Sequence, residues 1–489
     1  MKPDPQKKSK FAKFSRIASY IFFAVYIIAA LMVCGILLYL SVLPLRYLSI
    51  IIIIAIIFGG VFGFFVFRKK TRLTTRNTIT ALEIVFATVF IICFVVLNIS
   101  LNLLSALQAG GYQTEEYSVV TLSSYPYTTL DELSGQSVAI YSDPSDSYRS
   151  ALSDFKKSVS FVPTEYSDVV DATSALLDGR VDALFMKTAM MSLVGEILPS
   201  FKSDNIRIIH TFTIRTVIES DSSSNIDVTK DSFNIYISGI DTAGDISTVS
   251  RSDVNMIVTV NPRTYQILMV SIPRDYYVQL HGTTGPKDKL THSGLYGINT
   301  TVATAEDLFN TKINYYIRVN FDSTEKIIDT IGGINLTPDT TFSAYTDHGN
   351  LCYFYANETI HVDGSCGLIY ARTRKAYTDG DFHRIQNQQE VLTAILDRIS
   401  EIKSLSAYTD LLSSVEGTIE TNIPTSQIYK LINLQLDKFP HWQIERIRVN
   451  GTDSEEYTYS IYTEPLYVML PDMDTVTAAT NRINAVLAE

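Results

Sequence analysis

Three long apolar segments open the chain. They span Ile17–Leu40, Tyr47–Phe67 and Ile79–Leu104. Each has about 20 residues or more, the length that a helix needs to cross a hydrocarbon core of about 30 Å. A cleavable signal peptide would be one shorter apolar run, and three buried core helices in tandem explain the pattern less well. We therefore predict three membrane-spanning helices over 17–40, 47–67 and 79–104.

Basic residues flank these segments on one side of the predicted membrane. The tail 1–16 and the loop 68–78 are rich in Lys and Arg, whereas the loop between the first two segments carries only Arg46. Because Lys and Arg concentrate in cytoplasmic loops, we expect the tail and the loop 68–78 to be cytoplasmic. The chain is thus predicted to be a multi-pass cell-membrane protein with a large extracellular C-terminal part.

The next segment, 116–222, reads as a small α/β accessory domain. The phrases LSGQSVAIYSDPSDSYRSALSDF and TSALLDGRVDALFM alternate between strand and helix, and they resemble pieces of one lobe of an extracellular solute-binding protein. A solute-binding site normally lies between two lobes, and only one is recognisable here. A spacer or interaction domain is therefore the main expectation, and ligand binding is the alternative. The polar run SDSSSN then marks a linker.

The last segment, 232–489, mixes strands and helices without regular β-α-β repeats. FNIYISGI, VNMIVTV and YQILMVSI read as strands, the last two forming a hairpin around NPRT, and RIQNQQEVLTAILDRIS is an amphipathic helix. The pattern predicts an α/β fold in which a mixed sheet carries helices on its faces.

Charge is distributed unevenly along the chain. The net charge is −11 overall, but residues 1–76 carry +11, so the remainder carries −22. A body this negative repels polyanions, which makes nucleic acid an unlikely partner. The run GLIYARTRKAYTDGDFHRIQNQQ is a local exception, because it contains Arg372, Arg374 and Arg384. These cations indicate an anion site, and a solvated face with surface salt bridges is the alternative.

The spacing of these residues suits a phosphate. If the end of GLIYARTRK is extended, Arg372 and Arg374 project to the same face of a strand. Arg384 and Gln388 lie four residues apart on the following helix, away from its apolar stripe. Arg384 falls in the first turn, where free N–H groups and the helix dipole favour an anion.

Upstream acids lie near further cations. Asp241 follows one predicted strand, and Arg251 and Asp253 precede the next, so adjacent strands can bring both carboxylates to one sheet edge. Two such acids beside phosphate-binding arginines suit Mg²⁺, although loop-capping acids are the alternative. Arg274 ends a strand in SIPRD, and Lys289 lies in the loop of KDKLTHSGLYG.

The cysteines give a weaker signal. Cys34 and Cys93 lie in the apolar segments, whereas Cys352 and Cys366 lie outside them and form either a disulfide or two free thiols. The chain has no CxxC or HExxH motif, so zinc is not expected.

The motifs SGIDT, SRSDVNM, SIPRD, KLTHSGLYG, GLIYARTRK and DFHRIQNQQ occur in one order along the chain. In this order they resemble the LytR–CpsA–Psr family of cell-wall glycopolymer attachment proteins. The resemblance is close over Phe233–Ser400 and looser beyond. The three spans and the accessory domain look most like the capsule-locus members of streptococci and their relatives.

The resemblance implies a phosphotransferase. Such an enzyme moves capsular polysaccharide or a related anionic glycopolymer from a polyprenyl-pyrophosphate carrier to peptidoglycan, with Mg²⁺ as cofactor and, in the capsule case, other capsule-assembly proteins as partners. Asp241 and Asp253 are implied to bind Mg²⁺ or to activate the acceptor, as catalytic residues together with Arg274, Arg372 and Arg374. The implied pyrophosphate-binding residues are Arg251, Arg274, Lys289, Arg372, Arg374, Arg384 and Gln388.

Two departures from the family pattern and two other functions stay open. Ala243 and Asn387 stand where many members have arginine, which leaves the polymer and the strength of pyrophosphate binding undetermined. A hydrolase would use water as acceptor in the same site. A membrane-bound regulator would act through cytoplasmic segments that are too short for a helix-turn-helix.

Overall fold

The computed structural model describes residues 5–40, 45–107, 112–218, 226–240, 245–377 and 381–489. The chain divides into two compact units. The first contains Met1–Ala106, Ile402–Ser413 and Pro424–Pro440, and the second contains Leu107–Glu401, Ser414–Ile423 and His441–Glu489. Two segments of the predicted catalytic region 232–489 are thus grouped with the N-terminal helices.

The helices and strands are numbered in chain order. The α-helices are α1 (Pro5–Leu40), α2 (Leu45–Phe67), α3 (Leu73–Leu107), α4 (Asp146–Ser158), α5 (Val169–Leu177), α6 (Met191–Ile197), α7 (Ile298–Phe309), α8 (Phe321–Thr330), α9 (Gly364–Arg372), α10 (Asp381–Ser400), α11 (Leu405–Ser414), α12 (Thr425–Lys438) and α13 (Met473–Ala488). The strands are β1 (Tyr112–Leu122), β2 (Ser137–Tyr141), β3 (Val162–Tyr166), β4 (Ala183–Lys187), β5 (Ile206–Val217), β6 (Phe233–Ile240), β7 (Ser252–Asn261), β8 (Gln266–Ser271), β9 (Tyr277–Val278), β10 (Asp288–Lys289), β11 (Tyr315–Val319), β12 (Ile334–Leu336), β13 (Phe342–Tyr345), β14 (Leu351–Phe354), β15 (Ile360–Val362), β16 (Ile419–Thr421), β17 (Gln443–Arg448), β18 (Gly451–Glu456) and β19 (Leu466–Pro471).

Helices α1, α2 and α3 confirm the three long apolar N-terminal helices. Their apolar stretches, Lys13–Leu38, Tyr47–Phe67 and Leu73–Val95, are long enough to cross a membrane. Helix α1 continues back through much of the basic tail, and α3 begins at Leu73, so Arg76 is helical although it was expected in a loop.

The accessory domain is an α/β domain, as predicted. Its sheet has the order β3-β2-β4-β1-β5, in which β2 is parallel to β3 and β4, and β1 is antiparallel to β4 and β5. The central strands are apolar runs buried on both faces, as is usual for a sheet covered by helices. Helix α4 starts where Ser145 accepts a hydrogen bond from the Tyr148 amide, and α5 where Asp168 accepts from Val170. Strand β1 begins at Tyr112, so the domain starts before the boundary predicted at residue 116.

The following domain is built on a mixed sheet, which confirms the predicted fold class. The strand order is β16-β11-β6-β7-β8-β17, with parallel pairs β11–β6 and β17–β8 and antiparallel pairs elsewhere. The predicted hairpin is formed by β7 and β8, where Asn261 pairs with Gln266. Residues of α7 and α13 form one large core against this sheet, including Ala305, Phe309, Val476 and Ile483.

Two short β-ribbons and three helices flank one part of the sheet. Strands β12–β15 and β13–β14 pair antiparallel, and their buried residues pack with α8, α9 and α10. Cys352 in β14 and Cys366 in α9 are joined by a disulfide with an S–S distance of 2.00 Å. The structure therefore resolves the choice between a disulfide and two free thiols.

Candidate functional site

Asp253 lies at the start of β7, beside the end of β6. Ile240 pairs with Ser252 and Gly239 pairs with Val254, across a β-bulge. A Cβ atom on Gly239 would lie 2.7 Å from the side chain of Val254, so glycine permits this close approach of the strands. Asp241 and Ala243, which follow β6 in the chain, lie outside the described residues.

The carboxylate of Asp253 accepts two hydrogen bonds on one oxygen. Its Oδ1 is 3.1 Å from Nη1 of Arg274 and 2.9 Å from Oγ1 of Thr291. The Asp253 side chain is 12% exposed, which is deep enough to strengthen its interactions with nearby charges. The predicted residues Asp253 and Arg274 are thus in direct contact, and Thr291 joins them although the sequence analysis did not select it.

A chain of alternating charges continues from this pair. Nε of Arg274 lies 3.4 Å from Oδ2 of Asp275, and Oδ1 of Asp275 lies 3.2 Å from Nζ of Lys289. Nζ of Lys289 also lies over the ring of Tyr467, 5.7 Å from its centroid. Asp275, adjacent to Arg274 in the SIPRD motif, therefore couples two predicted phosphate ligands to each other.

A short 3₁₀ helix, Leu290–Tyr296, brings Thr291 to the site. Its backbone is tied to the Arg274 loop, because the amide of Thr291 donates to the carbonyl of Arg274 at 2.8 Å. A Cβ on Gly294 would overlap the backbone of Ser250 and Ser252, so only glycine lets the 3₁₀ helix lie against the entrance of β7. Because Gly294 allows this close backbone contact, Thr291 of the same 3₁₀ helix lies within hydrogen-bonding distance of Asp253.

Several cations act on Asp253. Burial by itself raises the pKa of the Asp253 carboxyl, but Arg274, Arg251, the hydrogen bond from Thr291 and Arg384 lower it, and the net pKa lies below the usual value. Arg384 is only 5% exposed, although it lies away from the apolar stripe predicted for its helix. Arg251, Arg274 and Arg384 therefore surround one carboxylate that stays ionised at neutral pH.

Arg251 also connects the two domains of the second unit. Its Nη1 donates to Oε1 of Glu196 in the accessory domain at 2.7 Å. A second link is buried, where Nζ of Lys187 lies 2.5 Å from Oε2 of Glu115 and donates to the carbonyl of Leu295 at 2.9 Å. The accessory domain thus holds the 3₁₀ helix that carries Thr291.

The extended conformation predicted around Arg372 and Arg374 is wrong. Arg372 ends helix α9, and Arg374 follows the helix as an exposed residue, so the two do not share a strand face. The missed signal is Asp363, whose side chain caps the helix by accepting from the amide of Cys366. The short apolar run LIY is compatible with either strand or helix, and packing of α9 on α8 and α10 decides for helix.

Arg372 is held by a different set of residues from Arg274. Its Nη1 donates to Oδ2 of Asp347 at 2.6 Å, and its guanidinium lies over the ring of Phe321, 4.0 Å from the centroid. Among the described residues, its hydrogen bond thus goes to the turn of the β13–β14 hairpin rather than to Asp253.

Gln388 and Asn387 are neighbours in helix α10 but differ in burial. Gln388 is half-buried, one turn after Arg384. Asn387 is buried, and its Nδ2 donates to the carbonyl of Tyr370 and to the hydroxyl of Tyr377, each at 3.1 Å. Asn387 thus joins α10 to α9.

The donors for a metal ion are limited. Within the ranges that the structure describes, no group of three His, Cys, Asp or Glu residues could hold one. Asp253 supplies one hard oxygen ligand at the start of β7. Mg²⁺ commonly uses one or two carboxylates together with phosphate oxygens and water, so this donor set fits it.

The fold and this cluster define a protein with an apolar helical anchor and an α/β domain that gathers cations around a buried carboxylate. The chain belongs to the LytR_cpsA_psr family, whose sequence model matches residues 209–474. This match confirms the family resemblance carried by the sequence motifs.

Individual relatives are similar over part of the chain. A "Polyisoprenyl-teichoic acid--peptidoglycan teichoic acid transferase TagU" of Bacillus mycoides is 33% identical over 199 residues, which are 40% of this chain and 62% of that protein. The chain therefore matches less than two thirds of this relative's length. The crystal structure of B. subtilis TagV is 27% identical with a TM-score of 0.46, covering 53% of this chain and 98% of TagV. Protein gbs0355 from Streptococcus agalactiae is 25% identical with a TM-score of 0.46, covering 53% and 89%.

Proposed function

We propose that this protein is a membrane-anchored phosphotransferase that attaches an anionic glycopolymer to peptidoglycan. The donor would be a polyprenyl-pyrophosphate-linked glycopolymer. The name of the TagU relative, a transferase between polyisoprenyl-teichoic acid and peptidoglycan, supports this class of reaction. The observation that carries the proposal is the set of arginines around Asp253, because clustered arginines recognise phosphate oxygens with charge-assisted hydrogen bonds.

The proposed reaction is a displacement at phosphorus. A hydroxyl oxygen of peptidoglycan forms a bond to the phosphorus that bears the glycan, and the bond from that phosphorus to the bridging oxygen breaks. The polymer becomes linked through a phosphodiester, polyprenyl phosphate leaves, and the hydroxyl proton is lost. Catalysis of this kind depends on positioning and on neutralising charge at the phosphate oxygens.

The cationic residues would divide this work. Arg274, Arg384 and Lys289 lie in or near the charge network of Asp253 and would hold the pyrophosphate. Arg372, at the end of α9, and Arg374, just beyond it, would contact the same group, together with Arg251 and Gln388.

The two carboxylates would act on the acceptor side. Asp253 has a lowered pKa, so at neutral pH it is available as an anion to orient or deprotonate the acceptor hydroxyl. Alternatively, Asp241 and Asp253 would hold Mg²⁺, which would supply positive charge to phosphate oxygens when bound.

The topology and the polymer complete the proposal. The basic tail and the basic loop favour a cytoplasmic N-terminus and an extracellular catalytic domain, in contact with lipid-linked donor and cell wall. Capsular polysaccharide is the proposed polymer, since three spans with an accessory domain resemble the capsule-locus members of the family.

The test uses the full chain in lipid nanodiscs with Mg²⁺, a polyprenyl-pyrophosphate oligosaccharide and peptidoglycan oligomers, with products identified by mass spectrometry. Wild type is expected to form a glycan–phosphate–peptidoglycan adduct, and Arg374→Ala is expected to lose it while staying folded. Arg180→Ala, which removes an exposed arginine of the accessory domain, is the matched control. Polyprenyl phosphate and glycan phosphate without adduct would identify a hydrolase instead. Absence of any turnover would refute the proposal.

A further inference from the structure

The β13–β14 hairpin carries a row of exposed tyrosines. Along β14 and just beyond it, side chains alternate, with Leu351, Tyr353 and Tyr355 facing outward and Cys352 and Phe354 buried. On the neighbouring strand Tyr345 faces outward opposite Leu351. The three tyrosines are between 46% and 68% exposed, which is unusual for such large rings on one small surface. We call Tyr345, Leu351, Tyr353 and Tyr355 the tyrosine face.

The opposite face of the hairpin is fixed to the domain. Phe354 stacks against Phe342 with ring centroids 4.6 Å apart, and Phe354 also contacts Tyr370 of α9 at 5.2 Å. The disulfide from Cys352 to Cys366 ties the same strand to the first turn of α9. The tyrosine face is therefore presented in a defined position rather than on a loose loop.

Two rings of the tyrosine face are aligned with each other. Those of Tyr353 and Tyr355 are nearly parallel, at 9°, with centroids 6.5 Å apart, and Ser343 lies opposite Tyr353 across the hairpin. Tyrosine offers an apolar ring face and a polar hydroxyl at little cost in side-chain entropy. A pyranose ring matches both, because its axial C–H groups pack on the ring and its hydroxyls bond to the tyrosine hydroxyl.

The size of the surface argues against a protein partner. Each strand has four residues, so at about 3.4 Å per residue and about 5 Å between strands the face measures about 14 Å by 10 Å. A stable protein interface buries about 800 Å² on each partner. The hairpin face is far smaller than that, and its length suits a short run of sugar rings.

Charge argues against an anionic lipid surface. Asp339, Asp347 and Glu358 are exposed on or beside the hairpin, and a surface that binds anionic lipids would carry lysine and arginine instead. A neutral, polyhydroxylated ligand is compatible with these acids.

The hairpin also contacts Arg372, one of the predicted phosphate ligands. Its turn contains Asp347, which accepts the 2.6 Å hydrogen bond from Arg372 at the end of α9. A glycan lying along the tyrosine face would thus run toward Arg372.

We propose that the tyrosine face binds the sugar backbone of the acceptor glycan strand. This inference rests on the proposed function, since it identifies how the acceptor of that reaction is held. The acceptor chain lies on Tyr353 and Tyr355. The end of the tyrosine face nearest the phosphate donor is the one beside the turn that contains Asp347, which is bonded to Arg372.

Binding is tested with the full chain in nanodiscs and a hexamer of β-linked N-acetylglucosamine, without donor, by saturation-transfer NMR and calorimetry. Removing one aromatic stacking contact weakens binding by about fivefold to tenfold, so Tyr353→Ala and Tyr355→Ala are each expected to show that loss. Tyr353→Phe keeps the ring and is expected to stay within about twofold of wild type, whereas Tyr353→Leu is expected to behave like the alanine variant. Tyr457→Ala, at a tyrosine of similar exposure outside the hairpin, is the matched control and is expected to bind as wild type.

Several results would overturn the inference. One is unchanged hexamer binding in Tyr353→Ala, and another is no binding to wild type. A third is that the wild-type protein self-associates or binds anionic vesicles and that Tyr353→Ala loses this behaviour, because the tyrosine face would then serve another partner. Hexamer binding is measured without donor, so its loss in Tyr353→Ala tests this inference separately from donor consumption, which tests the proposed function. If wild type binds the hexamer but never consumes donor, the proposed function fails and the glycan site stands.

Discussion

Replacing Arg274 by glutamine separates its structural role from its catalytic one. Arg274 is first among the groups that lower the pKa of Asp253, and its Nη1 donates to that carboxylate at 3.1 Å. The substitution keeps much of the side-chain volume but removes the charge. Asp253 then remains buried beside Thr291, Arg251 and Arg384 without its nearest cation.

The expected loss of stability follows from how buried the pair is. Breaking a fully buried ion pair by removing one partner costs about 3–5 kcal/mol. Here the side chains are 20% and 12% exposed, and three other groups still stabilise the carboxylate. We therefore expect a cost of about 1–3 kcal/mol in the free energy of unfolding, with loss of transfer activity.

The assay compares thermal unfolding and product formation for wild type, Arg274→Gln, Asp253→Asn and the double variant. In a domain of this size, about 1 kcal/mol corresponds to a shift of about 2–4 °C in Tm. The double variant should recover part of the lost stability, because no buried charge is left unpaired, while activity stays absent. A double variant less stable than Arg274→Gln, or full activity in Arg274→Gln, would refute the reasoning.

Three further predictions concern the same domain. The lowered pKa of Asp253 means that its stabilising contribution is fully present above about pH 4 and is lost as the pH falls through the folded-state pKa, so the stability difference between wild type and Asp253→Asn should shrink in acid denaturation curves. Gly294→Val should displace the 3₁₀ helix from the start of β7 and lower both Tm and activity, since a side chain there overlaps backbone, and wild-type behaviour would contradict the packing. The disulfide closes a loop with a sequence separation of 14, so Cys352→Ser/Cys366→Ser should cost about 2–3 kcal/mol, and a reductant should lower the Tm of wild type but not of this variant.

Local patterns of apolar and polar residues predicted several elements correctly. Three apolar segments of membrane-spanning length, the apolar runs of β6, β7 and β8, and the amphipathic helix α10 all follow from the local pattern of apolar residues. The order of the motifs predicted the family. The assignment of adjacent strands predicted that Asp253 lies at an edge of the sheet. In the candidate site, the sequence placed Asp253 at the start of one strand and Arg274 at the end of another, and the structure shows the two in contact.

Tertiary structure decided what depends on contacts between distant parts of the chain. Arg372 is helical because α9 packs on α8 and α10, and it bonds to Asp347 across a ribbon that no local period identifies. The burial of Arg384 depends on the elements around α10, and Thr291 reaches Asp253 only because Gly294 lets backbone meet backbone. The pairing of Cys352 with Cys366 likewise needs β14 to lie beside α9. Such contacts arise from packing of whole elements, whose free energy is shared among many residues and is not encoded in any one segment.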